Sequence, residues 1–186
     1  MPKKILTDRK ISSMMELERI TMPHIFRVGK KVVYPAHGVA LIEAIEEKVV
    51  SGCRQSFYIL RVLGNDTTTT IMIPTHNATR VGLREVIGPS EIPRVMEILR
   101  RKDVEISPNW NRRFKDNSER IKSGSLYEMA LVLRKLVVLQ KERHLSFGEK
   151  KMLENVRQLI VSEIAIAAGI DPREADGMVE KTIATA

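Results

Sequence analysis

The chain has 186 residues and 43% hydrophobic content, enough for one sizeable core or two small ones and too much for a disordered tail. No apolar run reaches the roughly 18–20 residues of a membrane span. The single cysteine, Cys53, excludes an internal disulfide framework.

Net charge is +8, spread as +2 over residues 1–25, +3 over 26–106, +6 over 107–157 and −3 over 158–186. A basic excess concentrated in one segment suggests nucleic acid or an anionic surface as partner, with a merely solvated basic face as the alternative. Residues 1–24 carry charge but no long apolar stretch of the kind a secretory leader needs. They offer no packing pattern either, so a flexible extension is expected there. The chain reads as soluble and intracellular.

From residue 25 to about 88 the apolar residues are β-branched and partly alternating: "KKVVYPAHGVALIEAIEEKVV", "QSFYILRVL" and "TTTTIMIP". Separated by "PAHG", "SGC", "GNDT" and "PTHN", these runs predict about five strands, with Ser51-Gly52 in a hairpin turn. Short strands with tight turns over some 60 residues predict a small SH3-like or Tudor-like β-barrel. Residues 89–170 then read as helical. A short helix is expected over about Ser90–Arg101. Another should begin with Ser107 as N-cap and Pro108 at the first helical position, closing at Gly124. In the next, Leu126, Met129, Ala130, Leu133, Leu136 and Val137 recur on one face. Ser146 and Glu149 form a capping box for a helix ending at Gly169. Residues 171–186 give a last helix or tail, capped by Asp171. The fold class is therefore α+β in two domains, the barrel first and a compact helical bundle second.

Chemistry is sparse. His24, His37, His76 and His144 have no second histidine or cysteine at metal-ligand spacing, and His37 in "YPAHG" reads as a turn residue. No glycine-rich phosphate loop, nucleophile elbow or zincin motif occurs. No catalytic residue, metal or cofactor is assigned, and the chain reads as non-enzymatic.

The functional signal is Trp110, the single tryptophan, in "ISPNWNRRFKDNSERIKSGS". At helical spacing Trp110, Phe114, Asn117 and Ile121 share a face, which by itself could be the top of a core stripe. Against that, Trp110 lies in the first helical turn with Arg112, Arg113 and Lys115 on adjacent faces. An apolar wedge ringed by cations suits insertion at a base step in the minor groove, the cations and the helix N-terminus holding phosphates. No array for reading bases is present, so DNA binding is expected to be shape-directed and steeply salt-dependent.

"FRVGKKVVYPAHGVALIEAIEEK", "NWNRRFKDNSERIKSGS" and "ERHLSFGEKKMLENVRQLIVSEIA" resemble, in that order, blocks of the CarD/CdnL family of bacterial RNA polymerase-binding transcription regulators. The resemblance runs from about Phe26 to Ala168. It implies an N-terminal Tudor-like domain that docks on the polymerase β subunit and a C-terminal helical domain on promoter DNA. A tryptophan would wedge into the minor groove at the upstream edge of the bubble and steady the open complex, often at rRNA promoters. That tryptophan corresponds to Trp110, with Arg112, Lys115 and Lys150 as phosphate contacts beside Arg113. The polymerase face would involve Glu46, Lys48, Val50, Ile71, Met72 and Ile73, by strand addition to an exposed edge. Lys48 matches a basic position of that face, and Met72 stands where relatives can carry arginine. The layout needs only a monomer and no membrane. Two other readings remain at this point: a protein-binding adaptor whose basic helices never engage DNA, and the polymerase-interaction module of a transcription-repair coupling factor, which 186 residues could not extend to a motor.

Overall fold

The computed structural model describes residues 25–35, 37–64 and 69–185, so the expected extension over 1–24 lies outside the described residues. Five strands form one antiparallel sheet: β1 (Lys31–Tyr34), β2 (Gly38–Val50), β3 (Cys53–Val62), β4 (Thr70–Pro74) and β5 (Arg84–Glu85), in the order β4-β3-β2-β1-β5. Alternation decides the core: Val32, Ala40, Ile42, Tyr58, Leu60 and Ile73 point to one face and pack with Phe26, Ala78 and Leu83. The Tyr58 hydroxyl accepts a hydrogen bond from the Phe26 N–H at 3.1 Å, so the buried phenol is not left unpaired. The expected hairpin is present. Val50 faces Cys53, and Ser51 and Gly52 both have positive φ (52° and 80°), as a type I′ turn requires.

β2 is long because it bends. Ile42 pairs with Leu60 and Ala44 with Ile59, leaving Glu43 as an extra residue, a β-bulge. Ile42 and Ile45 can then both face the core although they are an odd number of residues apart. Beyond the bulge, Glu46–Val50 and the opposing Cys53–Arg54 are exposed, and the hairpin runs past the end of β4.

The helical domain follows a 3-10 turn at Pro89–Glu91. It comprises α1 (Ile92–Arg100), α2 (Trp110–Lys122), α3 (Leu126–Glu142), α4 (Phe147–Ala168) and α5 (Pro172–Ala184). The expected stripe on α3 is buried: Leu126, Met129, Ala130, Leu133 and Leu136 meet Val95, Leu99, Val156, Ile160 and Ile164, with Val137 at the margin. Burying each of these leucine, isoleucine, valine and methionine side chains stabilises the fold by about 1.5–3 kcal/mol. Ala175 and Val179 of α5 are fully buried in the same cluster, so the last helix completes the bundle. Among the described residues no helix is long and apolar enough to cross a membrane.

One expected helix start is displaced. The N-cap of α2 is Asn109, whose side chain accepts from the Arg112 N–H at 3.1 Å, and not Ser107. The backbone carbonyls of Ser107 and Pro108 have another use. Both accept from the Arg113 guanidinium, at 2.7 and 3.4 Å, which holds this segment outside the helix.

Candidate nucleic-acid interface

Two helix N-termini meet at one tip of the bundle. Trp110 is the first residue of α2, and Ser146 is the N-cap of α4. The Trp110 indole Nε1–H donates to Ser146 Oγ at 3.1 Å. The indole also stacks on Phe114, 5.2 Å between ring centroids and 21° apart in plane. Phe114 can sit there because residue 148 is glycine: a Cβ on Gly148 would lie 3.2 Å from the Phe114 ring. Trp110 is nevertheless 44% exposed, while Asn117 and Ile121, one and two turns on from Phe114, are buried. The face shared by 110, 114, 117 and 121 thus runs out of the core and ends in a half-exposed indole.

The cations divide. Arg112 and Lys115 project into solvent, with side chains 77% and 76% exposed. Their ion pairs to Asp116 (3.8 Å) and Glu119 (3.9 Å) are long, exposed i,i+4 contacts, which contribute little and yield to a better anion. Lys150 is exposed in the first turn of α4, and Lys151 beside it. Arg113 is different. It was expected among the exposed cations, yet it is buried at 5% exposure and bound to Glu149, with Nε–Oε1 at 2.8 Å and Nη2–Oε1 at 2.7 Å. Its position on α2, one turn after Trp110, points inward toward α4, and the carboxylate there fixes it. No phosphate can reach it without dismantling the pair.

Glu149 closes a network behind the indole. Its carboxylate accepts from the Ser146 N–H at 3.0 Å and the Ser146 hydroxyl at 2.8 Å, and Ser146 Oγ in turn accepts from Trp110. Burial pushes the Glu149 carboxyl up, but the Ser146 hydrogen bonds and the Arg113 charge outweigh it and hold the group below the usual glutamate value. The expected capping box is therefore also the support of the tryptophan.

Sequence reasoning missed Phe147. It is 85% exposed, the most exposed of the large apolar side chains among the described residues, and it follows directly on the residue that holds the indole. The signal was its helical phase: nine residues before buried Val156, at 100° per residue, it lies half a turn away from the core stripe. The tip thus presents two aromatic side chains, two helix N-termini and the cations Arg112, Lys115 and Lys150.

The other surface of interest is the sheet edge. β4 ends the sheet, with no further strand paired to its outer side among the described residues. Met72 is 48% exposed there and Ile71 half-buried, but Ile73 is 4% exposed and packs in the sheet core, so only its backbone faces the edge. Glu46 and Lys48 are exposed and ion-paired at 3.2 Å, and Val50 is 44% exposed beside Val49 at 68%. Glu46 and Pro74 both pair with Phe57, so the two segments flank β3 in one row, while Lys48 and Val50 stand beyond it on the hairpin.

Two family models divide the chain as this architecture does. Residues 26–87 match the CarD-like/TRCF RID domain, and residues 94–180 match the CarD C-terminal domain. The chain belongs to the CarD family. It is similar to the Bacillus subtilis (strain 168) protein named "Putative transcription factor YdeB", with 34% identity over 149 residues, which cover 80% of this chain and 96% of that protein. For a CarD-family chain, the sheet is the RID-type domain, and the tip with Trp110, Phe147 and Lys150 belongs to the family's C-terminal domain.

Proposed function

We propose that this CarD-family protein is a non-enzymatic transcription factor that tethers to bacterial RNA polymerase and steadies the open promoter complex. The sheet docks on the β subunit along β4 and the projecting hairpin, with Met72, Ile71, Glu46, Lys48 and Val50 in contact and Ile73 contributing backbone. Trp110 enters the minor groove at the upstream edge of the bubble, often at rRNA promoters. The observation that carries this reading is a half-exposed tryptophan held at a cationic tip beside a nearly bare phenylalanine.

Magnitudes shape the mechanism. Since about half the indole is already covered, complete burial would gain about 1–2 kcal/mol. Unstacking a base step costs a few kcal/mol. Trp110 alone therefore cannot open intact duplex. It gains where stacking is already broken, at the edge of melted DNA, and Phe147 and the phosphate contacts of Arg112, Lys115 and Lys150 supply the remainder. Preference for the fork over plain duplex follows from that shortfall. Arg113 acts through the network, aiming the indole by holding Glu149 and the α2 entry segment.

The deciding experiment is co-purification with bacterial RNA polymerase, followed by open-complex lifetimes with wild-type and Trp110→Ala protein. The expected result is that both bind polymerase and only the wild type prolongs the lifetime. If the variant prolonged it equally, the wedge would be excluded. The chain would then be better described as an adaptor.

A further inference from the structure

The sheet and the helical domain are joined by a side chain that leaves little freedom between them. Arg84 lies on β5, at the edge of the sheet. Its Nη1 and Nη2 donate to the two carboxylate oxygens of Glu163 on α4, at 2.6 and 2.8 Å. Its Nε donates to the backbone carbonyl of Gly124, in the turn between α2 and α3, at 2.8 Å. One planar guanidinium thus fixes the sheet to two separate parts of the bundle. Glu163 is only 1% exposed and also accepts from the Ile87 N–H at 3.2 Å.

Shape reinforces charge at the same junction. Pro35, in the turn between β1 and β2, lies against Gly124, where a Cβ would approach the proline ring to 2.7 Å. Gly124 has φ +72°, so any other residue would be strained as well as crowded. A Cβ on Gly38, at the start of β2, would come within 3.1 Å of Leu159 on α4. Merely tethering two domains needs only a linker. This junction instead sets an angle.

We infer that Arg84 and Glu163 are positioning residues that hold the Trp110 tip at one distance and direction from the β4 edge. The inference rests on the proposed reading of the two surfaces. Under it, a stiff link concentrates the tip at one place on the promoter, whereas a loose link spreads the same tip over a larger volume and lowers its effective concentration at the fork. Both charged groups would regain water on separation, so the pair governs geometry and not whether each domain folds.

The chain has one tryptophan and one cysteine, Trp110 in the bundle and exposed Cys53 at the hairpin, so energy transfer from Trp110 to an acceptor on Cys53 reads the separation of the two surfaces. The full chain would be compared as wild type, Glu163→Gln and Arg84→Lys, the first variant keeping shape and the second keeping charge. A single narrow transfer distribution is expected for wild type and a broadened one for both variants. Polymerase capture and binding of the free protein to duplex DNA should be unchanged, while the gain in open-complex lifetime falls on the order of tenfold, as misplacement of a remote group can cause. Unbroadened distributions in both variants would overturn the inference, and so would broadening with an undiminished lifetime gain. If wild-type protein failed to capture polymerase, the functional reading would fall with the inferred role, while energy transfer would still report whether the pair fixes the domains.

Discussion

Trp110 and Arg113 lie one turn apart on α2, yet the first is 44% exposed and the second 5%. Each answers to a different partner on α4, Ser146 for the indole and Glu149 for the guanidinium. Under the proposed function, stability and DNA contact should therefore be separable by substitution on a single helix. Arg113→Ala leaves a buried carboxylate without its cation and should cost about 3–5 kcal/mol in urea unfolding. Trp110→Ala should cost about 1 kcal/mol, because the ring is only partly buried. Equal losses for the two variants would contradict this division.

Acid should find Glu149. Its folded-state pKa lies below the ordinary value, so its stabilising contribution is complete above the unfolded pKa and is lost as pH falls through the folded one. Urea midpoints measured from about pH 7 down to pH 3 should show an acid limb that flattens in Glu149→Gln. Protonation also removes the anchor of Ser146, so the tryptophan emission spectrum should change over the same window. A pH-independent spectrum would detach the indole from the network.

Salt should weigh the cations individually. Arg112→Ala, Lys115→Ala and Lys150→Ala remove exposed charges and should change stability by no more than about 0.5 kcal/mol. Each phosphate contact removed should flatten the plot of log affinity against log salt by about 0.9 on duplex DNA. Arg113→Lys, buried and paired, should leave that slope alone. A slope change there and none at Arg112 would reverse the assignment.

Phe147 gives a prediction of a different kind. With almost all of its surface in water, Phe147→Ser should leave folding stability within about 0.5 kcal/mol or raise solubility. Affinity for a forked DNA should fall more than affinity for intact duplex, read by fluorescence anisotropy. Equal losses on both would make the ring a nonspecific contact.

The five strands, the hairpin turn, the α3 stripe and the capping box were legible because each is local: period two, period 3.6, or a cap three residues from its partner. Trp110 stood out for a local reason as well. The fate of Arg113 was not legible. Its partner lies 36 residues away, and a cation beside two others looks like all of them until α4 is docked. Ser107 failed as a cap for the same reason, since the demand on its carbonyl comes from a buried guanidinium. Phe147 was visible in phase but sat inside a motif already explained as a cap. The Arg84–Glu163 pair spans 79 residues and two domains, beyond the reach of any periodicity.

The extra residue in β2 separates two tasks that one strand would otherwise have to share. Proximal to Glu43 the strand's facing is dictated by Ile42 in the interior; distal to it, a new phase begins. Loss of that one residue would leave Ala44–Val50 opposite the same β3 residues and on the same faces, but would remove the kink and added twist that aim the hairpin. A single joint thus sets the direction in which the hairpin leaves the sheet, while Val32, Ala40 and Leu60 beneath it keep their places.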